Sequence, residues 1–350
     1  MRLRQSDLRA PGYRRVHHGR GFRYFDLQGA PVTDPELRQR FTRLVIPPAW
    51  RDVWICPWPT GHIQATGIDA AGRRQYLYHP RFREQQEQAK HEHVLEMAER
   101  LPLARERISA DLARRGLVRE RVLACAARLL DFGFFRVGSD QYVQANGTYG
   151  LTTVLCLHVD CRNRETVAFD YPAKGGKRRV QAIVDEPTRK TIAALLRERG
   201  TEDRLLAYRE RGSVGRNGVN GDGWHEIHSD ELNAYLKEIC DLDVSAKDFR
   251  TWHATVLAAV ALAVSTQAAR TSPTARKRAE VRAVKEVAEY LGNTPAVCRA
   301  SYINPRVIEL YEEGRTIAPA LTALGAEQSF GQPATQGAVE RAVLDLLKAG

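Results

Sequence analysis

From residue 81 to residue 99 the chain runs without a single proline or glycine, after eighty residues in which one or the other recurs every few positions. Such frequent punctuation confines the first eighty residues to short strands and turns. The Arg-, Glu-, Gln-, Lys- and His-rich stretch that follows predicts a solvated connecting helix. The change marks a domain boundary. We expect an α+β protein with a small β-rich domain over 1–85 and a mainly helical domain over 86–315. An Ala- and Gly-rich tail over 316–350 should contain at most a helix near 338–348.

Within the first domain, Gly19–Arg20–Gly21 and Gly29–Ala30–Pro31 read as turns, and Ile46–Pro47–Pro48 as rigid extended chain. Residues Gly61 to Tyr78 read as a hairpin turning at Asp69–Ala70–Ala71–Gly72. In the second domain, residues 104–135 predict helices broken near Gly116, with Val122, Ala126, Leu129, Leu130 and Phe134 at helical spacing. A β meander follows. Leu155, Leu157 and Val159 alternate with polar residues, then Val167, Phe169 and Tyr171, then Val180, Ala182 and Val184. Its turns are Arg162–Asn163–Arg164 and Lys174–Gly175–Gly176–Lys177. Beyond it the pattern is helical. Ser229–Asp230 starts one helix, and Ser245 with Asp248 forms a capping box at the head of a long apolar one. Residues 274–291 form a basic helix closed by Gly292, and Thr294–Pro295 opens the helix carrying Tyr302.

The formal net charge is +11, which points to a polyanionic partner, nucleic acid before anionic membrane. The excess is concentrated. Residues 1–80 hold 13 Arg, no Lys and 6 acidic residues, and Arg is the residue suited to planar, bidentate contact with phosphates and guanine edges. The longest apolar run, Ala254 to Val264, is interrupted by Thr255 and falls short of the ~18 residues a membrane helix needs. No apolar stretch follows the N-terminus, so a cytoplasmic protein is expected. The cysteines at 56, 125, 156, 161, 240 and 298 are scattered. Cys156 and Cys161 flank His158 without a second ligand pair nearby, so all six read as buried reduced thiols and no metal site is expected.

Neither HExxH nor Gly-x-x-x-x-Gly-Lys occurs, and no carboxylates cluster. Phosphoryl transfer without such devices needs a nucleophile, cations around the phosphate oxygens and an acid for the leaving alkoxide. Tyrosine, arginine and lysine supply all three. Taken singly, each candidate has a plainer use. Tyr302 fits a core tyrosine, Arg136 and Arg250 fit ion pairs, Lys174 a solvated turn and Asn293 a helix cap.

Their arrangement is more specific. Phe134-Phe-Arg-Val-Gly138 is followed by Tyr142 and by Tyr149-Gly-Leu-Thr-Thr153. The Lys174–Gly–Gly–Lys turn comes next, then Lys247-Asp-Phe-Arg-Thr-Trp252, then Leu291-Gly-Asn-Thr-Pro-Ala-Val-Cys-Arg-Ala-Ser-Tyr302. In this order they resemble the catalytic domain of type IB DNA topoisomerases, in the bacterial and poxvirus-type branch. Upstream, Ile46-Pro-Pro-Ala-Trp50, Gly61-His-Ile-Gln-Ala-Thr-Gly67 and Gly72-Arg-Arg-Gln-Tyr-Leu-Tyr78 extend the resemblance to roughly residues 10–310. It implies a two-lobed, C-shaped clamp on duplex DNA, acting as a monomer in the cytoplasm near the nucleoid, with no cofactor, ATP or metal. It implies that Tyr302 forms a 3′-phosphotyrosyl bond, that Arg136 and Arg250 hold the phosphate, and that Lys174 is the general acid, assisted by Lys247. Poxvirus-type and nuclear enzymes carry His where this chain has Asn293, which can donate a hydrogen bond but carries no charge. Gln75, Tyr76 and Tyr78 match the family's DNA-contacting hairpin, and Arg73, Arg74 and, from the catalytic side, Tyr142 are expected to contact phosphate.

Two other readings share parts of this pattern. A tyrosine recombinase has the same catalytic fold, but usually carries His at the position of Lys247 and lacks the Gly61–Tyr78 segment. A silent DNA-binding protein would have no use for the full set of Arg136, Lys174, Arg250 and Tyr302.

Overall fold

The computed structural model describes residues 2–209, 223–265, 272–326 and 336–349. Of the tail expected over 316–350, residues 327–335 and 350 lie outside the described residues. The chain divides into two compact units, Met1–Glu92 and His93–Gly350.

The first unit contains β1 (Tyr13–His18), β2 (Gly21–Phe25), α1 (Pro35–Arg43), β3 (Arg51–Ile55), β4 (Ile63–Ile68) and β5 (Arg74–Tyr78). The strands form one antiparallel sheet in the order β2-β1-β3-β4-β5. The expected hairpin is β4–β5, and its turn closes on Asp69. That carboxylate accepts from the amides of Ala71 and Arg73, both at 2.9 Å. Helix α1 was not foreseen. Its signal was Asp34–Pro35: the aspartate side chain accepts from the Glu36 amide at 2.8 Å, and proline occupies the first turn. The helix delivers Phe41 to a small core with Ile46, Val53, Ile55 and Ala65.

Helix α2 (Pro80–Leu112) carries the chain into the second unit. There follow α3 (Arg119–Gly133), α4 (Asp140–Asn146), β6 (Val159–Asp160), β7 (Val167–Ala173), β8 (Lys177–Ile183), α5 (Glu186–Glu198), β9 (Ala207–Arg209) and β10 (Trp224–Glu226). The remainder is helical: α6 (Ser229–Cys240), α7 (Ala246–Val264), α8 (Pro273–Leu291), α9 (Pro295–Ser301), α10 (Pro305–Glu312), α11 (Ala318–Ala326) and α12 (Ala338–Lys348). Two helices are buried on nearly every face, α3 from Val122 to Leu130 and α7 from Phe249 to Ala263. Helices apolar all round belong to a core, and these two form the frame on which the catalytic candidates sit.

The meander differs from expectation in two ways. Its first arm is mostly a tight 3₁₀ turn, Cys156–His158, leaving only two residues of β6. In β8 the period of two is present but its phase is inverted. Arg179, Gln181 and Ile183 turn inward, while Val180 and Val184 are 64% and 72% exposed. The cause is Arg179, which donates to the carbonyls of Tyr290 (3.0 Å) and Gly133 (3.3 Å) and to Gln181 Oε1 (3.0 Å). A half-buried cation with three acceptors outweighs the modest burial two valines would gain.

Helix α12 buries Val343 and Leu347 in the core of the second unit. No helix among the described residues is long and apolar enough to cross a membrane.

Candidate active site

Helix α7 sets the geometry. Its capping box is formed: the Ser245 amide donates to Asp248 Oδ2 at 2.8 Å. This places exposed Lys247 in the first turn and Arg250 nearly one turn further on, where it is only 3% exposed. The Arg250 guanidinium donates to the carbonyl of Phe134 and, at 2.9 Å, to that of Leu291. Phe134 caps α3 in the left-handed region at φ 53°, a conformation costing a non-glycine residue about 1–2 kcal/mol. The turn aims its carbonyl at Arg250 and starts the segment that carries Arg136.

That segment is clasped by a second one. The Leu151 amide donates to the Arg136 carbonyl and the Thr152 amide to the Val137 carbonyl, both at 2.8 Å. The clasp needs two glycines. Gly138 has φ +97°, and a Cβ added to Gly150 would lie 2.4 Å from the Gly138 Cα. Arg136 then donates to the Gly292 carbonyl at 3.0 Å and to Asn293 Oδ1. Arginine has no acceptor, so this bond fixes the amide orientation. Asn293 Nδ2 is left buried and without a partner, beside a 340 Å³ cavity whose lining includes Arg136, Lys174, Arg179, Arg250 and Asn293.

Tyr302 lies not within α9 but at its C-cap. Thr255 of α7 holds the chain there, its Oγ1 accepting from the Asn304 amide at 3.1 Å and sharing its one proton between the carbonyls of Thr251 at 2.9 Å and Tyr302 at 3.3 Å. The Arg250 guanidinium sits 5.5 Å from the centre of the half-buried phenol ring. Burial works to raise the phenol's pKa. The charges of Arg250 and Arg136, a hydrogen bond from Arg250 and the charge of Lys247 outweigh it and bring the phenol below its ordinary value of 10.0. Tyr302, Arg250, Arg136, Lys174, Lys247 and Tyr142 line one cavity of 210 Å³.

Lys174 reaches this cavity from the β7–β8 turn, where Gly175 and Gly176 take φ of +80° and +71°. Its ammonium stands 5.6 Å from the centre of the Tyr142 ring, a cation–π contact. Five residues from four separate stretches of chain, Arg136, Lys174, the α7 pair Lys247 and Arg250, and Tyr302, thus meet, with Asn293 attached through Arg136.

The expected DNA-contacting set in the first unit does not share one face. Tyr76 and Tyr78 stack at 6.1 Å on the open face of the edge strand β5, each about 40% exposed, and Arg74 shares that face. Gln75 points the other way and donates to Asp69 Oδ2 at 2.9 Å, while Arg73 pairs with the same carboxylate at 3.1 Å. Alternation along a strand makes this separation unavoidable.

Two residues escaped the sequence reading. Arg179 was hidden because its strand was read in the opposite phase. Thr255 was read only as an interruption of an apolar run; a hydroxyl within a buried helix was its one signal. The six cysteines are free, five buried and Cys161 half-buried. Among the described residues no group of three or more His, Cys, Asp or Glu is placed to hold a metal ion.

Residues 79–318 match the family model of the eukaryotic DNA topoisomerase I catalytic core, and residues 21–69 match that of the bacterial DNA topoisomerase IB N-terminal domain. The DNA topoisomerase 1B of Acanthamoeba polyphaga mimivirus is 27% identical over 292 residues, 83% of each chain. A match covering the stretch from α2 to α10, with every catalytic candidate inside it, places the chain in the type IB DNA topoisomerase family.

Proposed function

We propose that the protein relaxes supercoiled DNA by cutting one strand with Tyr302, letting the duplex turn about the intact strand, and resealing the cut. The Tyr302 oxygen attacks the scissile phosphorus, and its phenolic proton is lost to solvent. The bond to the 5′-oxygen breaks, leaving a 3′-phosphotyrosyl ester and a 5′-hydroxyl. Arg136 and Arg250 hold the non-bridging oxygens, where a fixed guanidinium fork acts mainly on the transition state. Asn293 Nδ2 supplies an uncharged donor to the same oxygens. Lys174 gives the 5′-oxygen its proton, and Lys247 assists. Resealing reverses these steps. The ester conserves the energy of the broken bond, so ATP is not required, and the charge stabilisation a metal ion would give is assigned to Arg136 and Arg250.

The observation that carries this reading is the convergence on Tyr302. A phenol, two guanidiniums and two ammoniums line a single cavity, and Arg250, Arg136 and Lys247 acidify the group that must attack. Tyr142 and the exposed row of Arg74, Tyr76 and Tyr78 contact the backbone and bases, with Arg73 and Gln75 joining once released from Asp69. Each unit would then contribute its own contacts to the duplex, with the protein acting as a monomer.

The test is plasmid relaxation in EDTA without ATP. Wild type should yield a ladder of topoisomers from positive and negative supercoils alike, while Tyr302→Phe should bind DNA and leave the plasmid supercoiled. Strand exchange between two sites, binding without nicking, or a requirement for metal would overturn the reading.

A further inference from the structure

We infer that helix α12, through Glu340, is a positioning element for the two arginines of the active site. The inference rests on the roles proposed above for Arg136 and Arg250. Glu340 is buried, and its carboxylate is crowded with donors. Arg105 reaches it from α2 at 2.5 and 3.0 Å, the indole of Trp252 at 2.8 Å, and the Gly337 amide at 3.2 Å. Arg105 turns its other edge to Asp131 of α3, donating at 2.8 and 2.9 Å. The side chain of Asp131 is wholly buried; it also accepts from Gln336 at 2.9 Å and faces His253 Nε2 at 3.3 Å. Burial works to raise the pKa of Asp131, but Arg105 and His253 hold it well below the ordinary carboxylate range.

The network therefore grips both carriers of the catalytic arginines. Asp131 lies near the end of α3, three residues before the Phe134 turn that leads to Arg136. Trp252 and His253 follow Arg250 on α7. The His253 ring meets Phe134 edge-on at 5.3 Å, and the Phe134 carbonyl is the one that accepts from Arg250. Residues 336–340, remote in sequence from every candidate catalytic residue, close this circuit. An active site tolerates little misplacement: a shift near 1 Å at reacting groups costs on the order of 10²-fold in rate. Glu340 lines neither of the cavities that hold the catalytic candidates, so its effect must pass through Trp252, Arg105 and Asp131.

The helix has other anchors. Val343 and Leu347 are buried, and Arg315 donates to the Ala349 carbonyl at 3.1 Å. Loss of the Glu340 carboxylate should therefore leave α12 docked. This allows positioning to be separated from simple support. The full-length protein would be prepared as wild type, Glu340→Gln, Glu340→Ala and Val343→Ala. Each would be measured for thermal midpoint, for affinity to a duplex oligonucleotide, and for single-turnover formation of the covalent adduct with protein saturating and temperature well below every midpoint. Glu340→Ala should slow adduct formation by about tenfold or more with affinity unchanged. Glu340→Gln, which keeps an acceptor for the Trp252 indole, should recover part of the rate. Val343→Ala should lower the midpoint and leave the rate alone. Rates that follow the midpoints across the series, or a wild-type rate in Glu340→Ala, would overturn the inference. Absence of a Tyr302-dependent adduct in wild type would instead overturn the mechanism on which it rests.

Discussion

Arg250→Lys separates the two roles the structure gives one guanidinium. Arg250 satisfies two carbonyls, of Phe134 and Leu291, at a position only 3% exposed. A lysine keeps the charge but has one ammonium in place of a fork, and cannot span both acceptors while also facing the phosphate. At least one carbonyl is left buried and unpaired, a loss of about 1–3 kcal/mol in folding stability. If Arg250 also grips the phosphate in the transition state, removing that donor costs roughly 2.7–4 kcal/mol, or 10²–10³ in the rate of cleavage. Chemical denaturation measures the first quantity. Single-turnover cleavage of a duplex with saturating enzyme measures the second, and filter binding should show little change in affinity. Stability equal to wild type would refute the structural part. Cleavage within about threefold of wild type would refute the catalytic part, because a donor acting only in the transition state must appear in that rate.

Gly150→Ala forces a Cβ within 2.8 Å of both the Gly138 Cα and the Arg136 carbonyl; backbone must move, so stability should fall by about 1–3 kcal/mol and cleavage should fall with it, read by the same two assays. Cleavage should rise with pH through a midpoint below 10.0, since the cations around Tyr302 favour the attacking phenolate. Lys247→Ala removes one of those cations and should move the midpoint upward; a downward shift in the pH–rate profile would contradict the assigned charge interaction. The Asp131 pKa is depressed in the folded state, so its contribution to stability is complete above the unfolded value of about 4 and is lost as pH falls through the folded value. Denaturation curves for Asp131→Asn should therefore show a shallower decline below about pH 4 than wild type, from a lower starting stability.

The sequence was most legible where local rules act alone. The capping box at Ser245, the glycine closing α8 at Gly292 and the Thr294–Pro295 start of α9 all depend on a few neighbouring residues, and each is found as read. Strand identity was legible in β7 and β8, but the inward face of β8 was not, because a period of two fits either phase. What decided it was Arg179, whose acceptors lie on other elements. Likewise Cys156–His158 alternates like a strand but folds as a turn, its last side chain bonding back: His158 Nδ1 accepts from the Leu155 amide at 3.1 Å. Tyr76 and Tyr78 share a face, as alternation along a strand requires, whereas the bond that turns Gln75 to Asp69 depends on the fold of the hairpin turn. The candidate site could be assembled from motif order because its residues are functional in type as well as position. The support behind it, Thr255, Arg179 and Glu340, uses ordinary residues whose partners are distant in sequence, and only the fold reveals them.

The account stands on Tyr302 as the atom that receives the DNA strand, and trapping that bond tests it most directly. Wild-type protein incubated with plasmid in EDTA, quenched with detergent, digested with nuclease and protease and analysed by mass spectrometry should yield one modified peptide, phosphorylated on Tyr302, with the cut ends bearing free 5′-hydroxyls. A nucleotide adduct on another residue, or relaxation that persists in Tyr302→Phe, would contradict it.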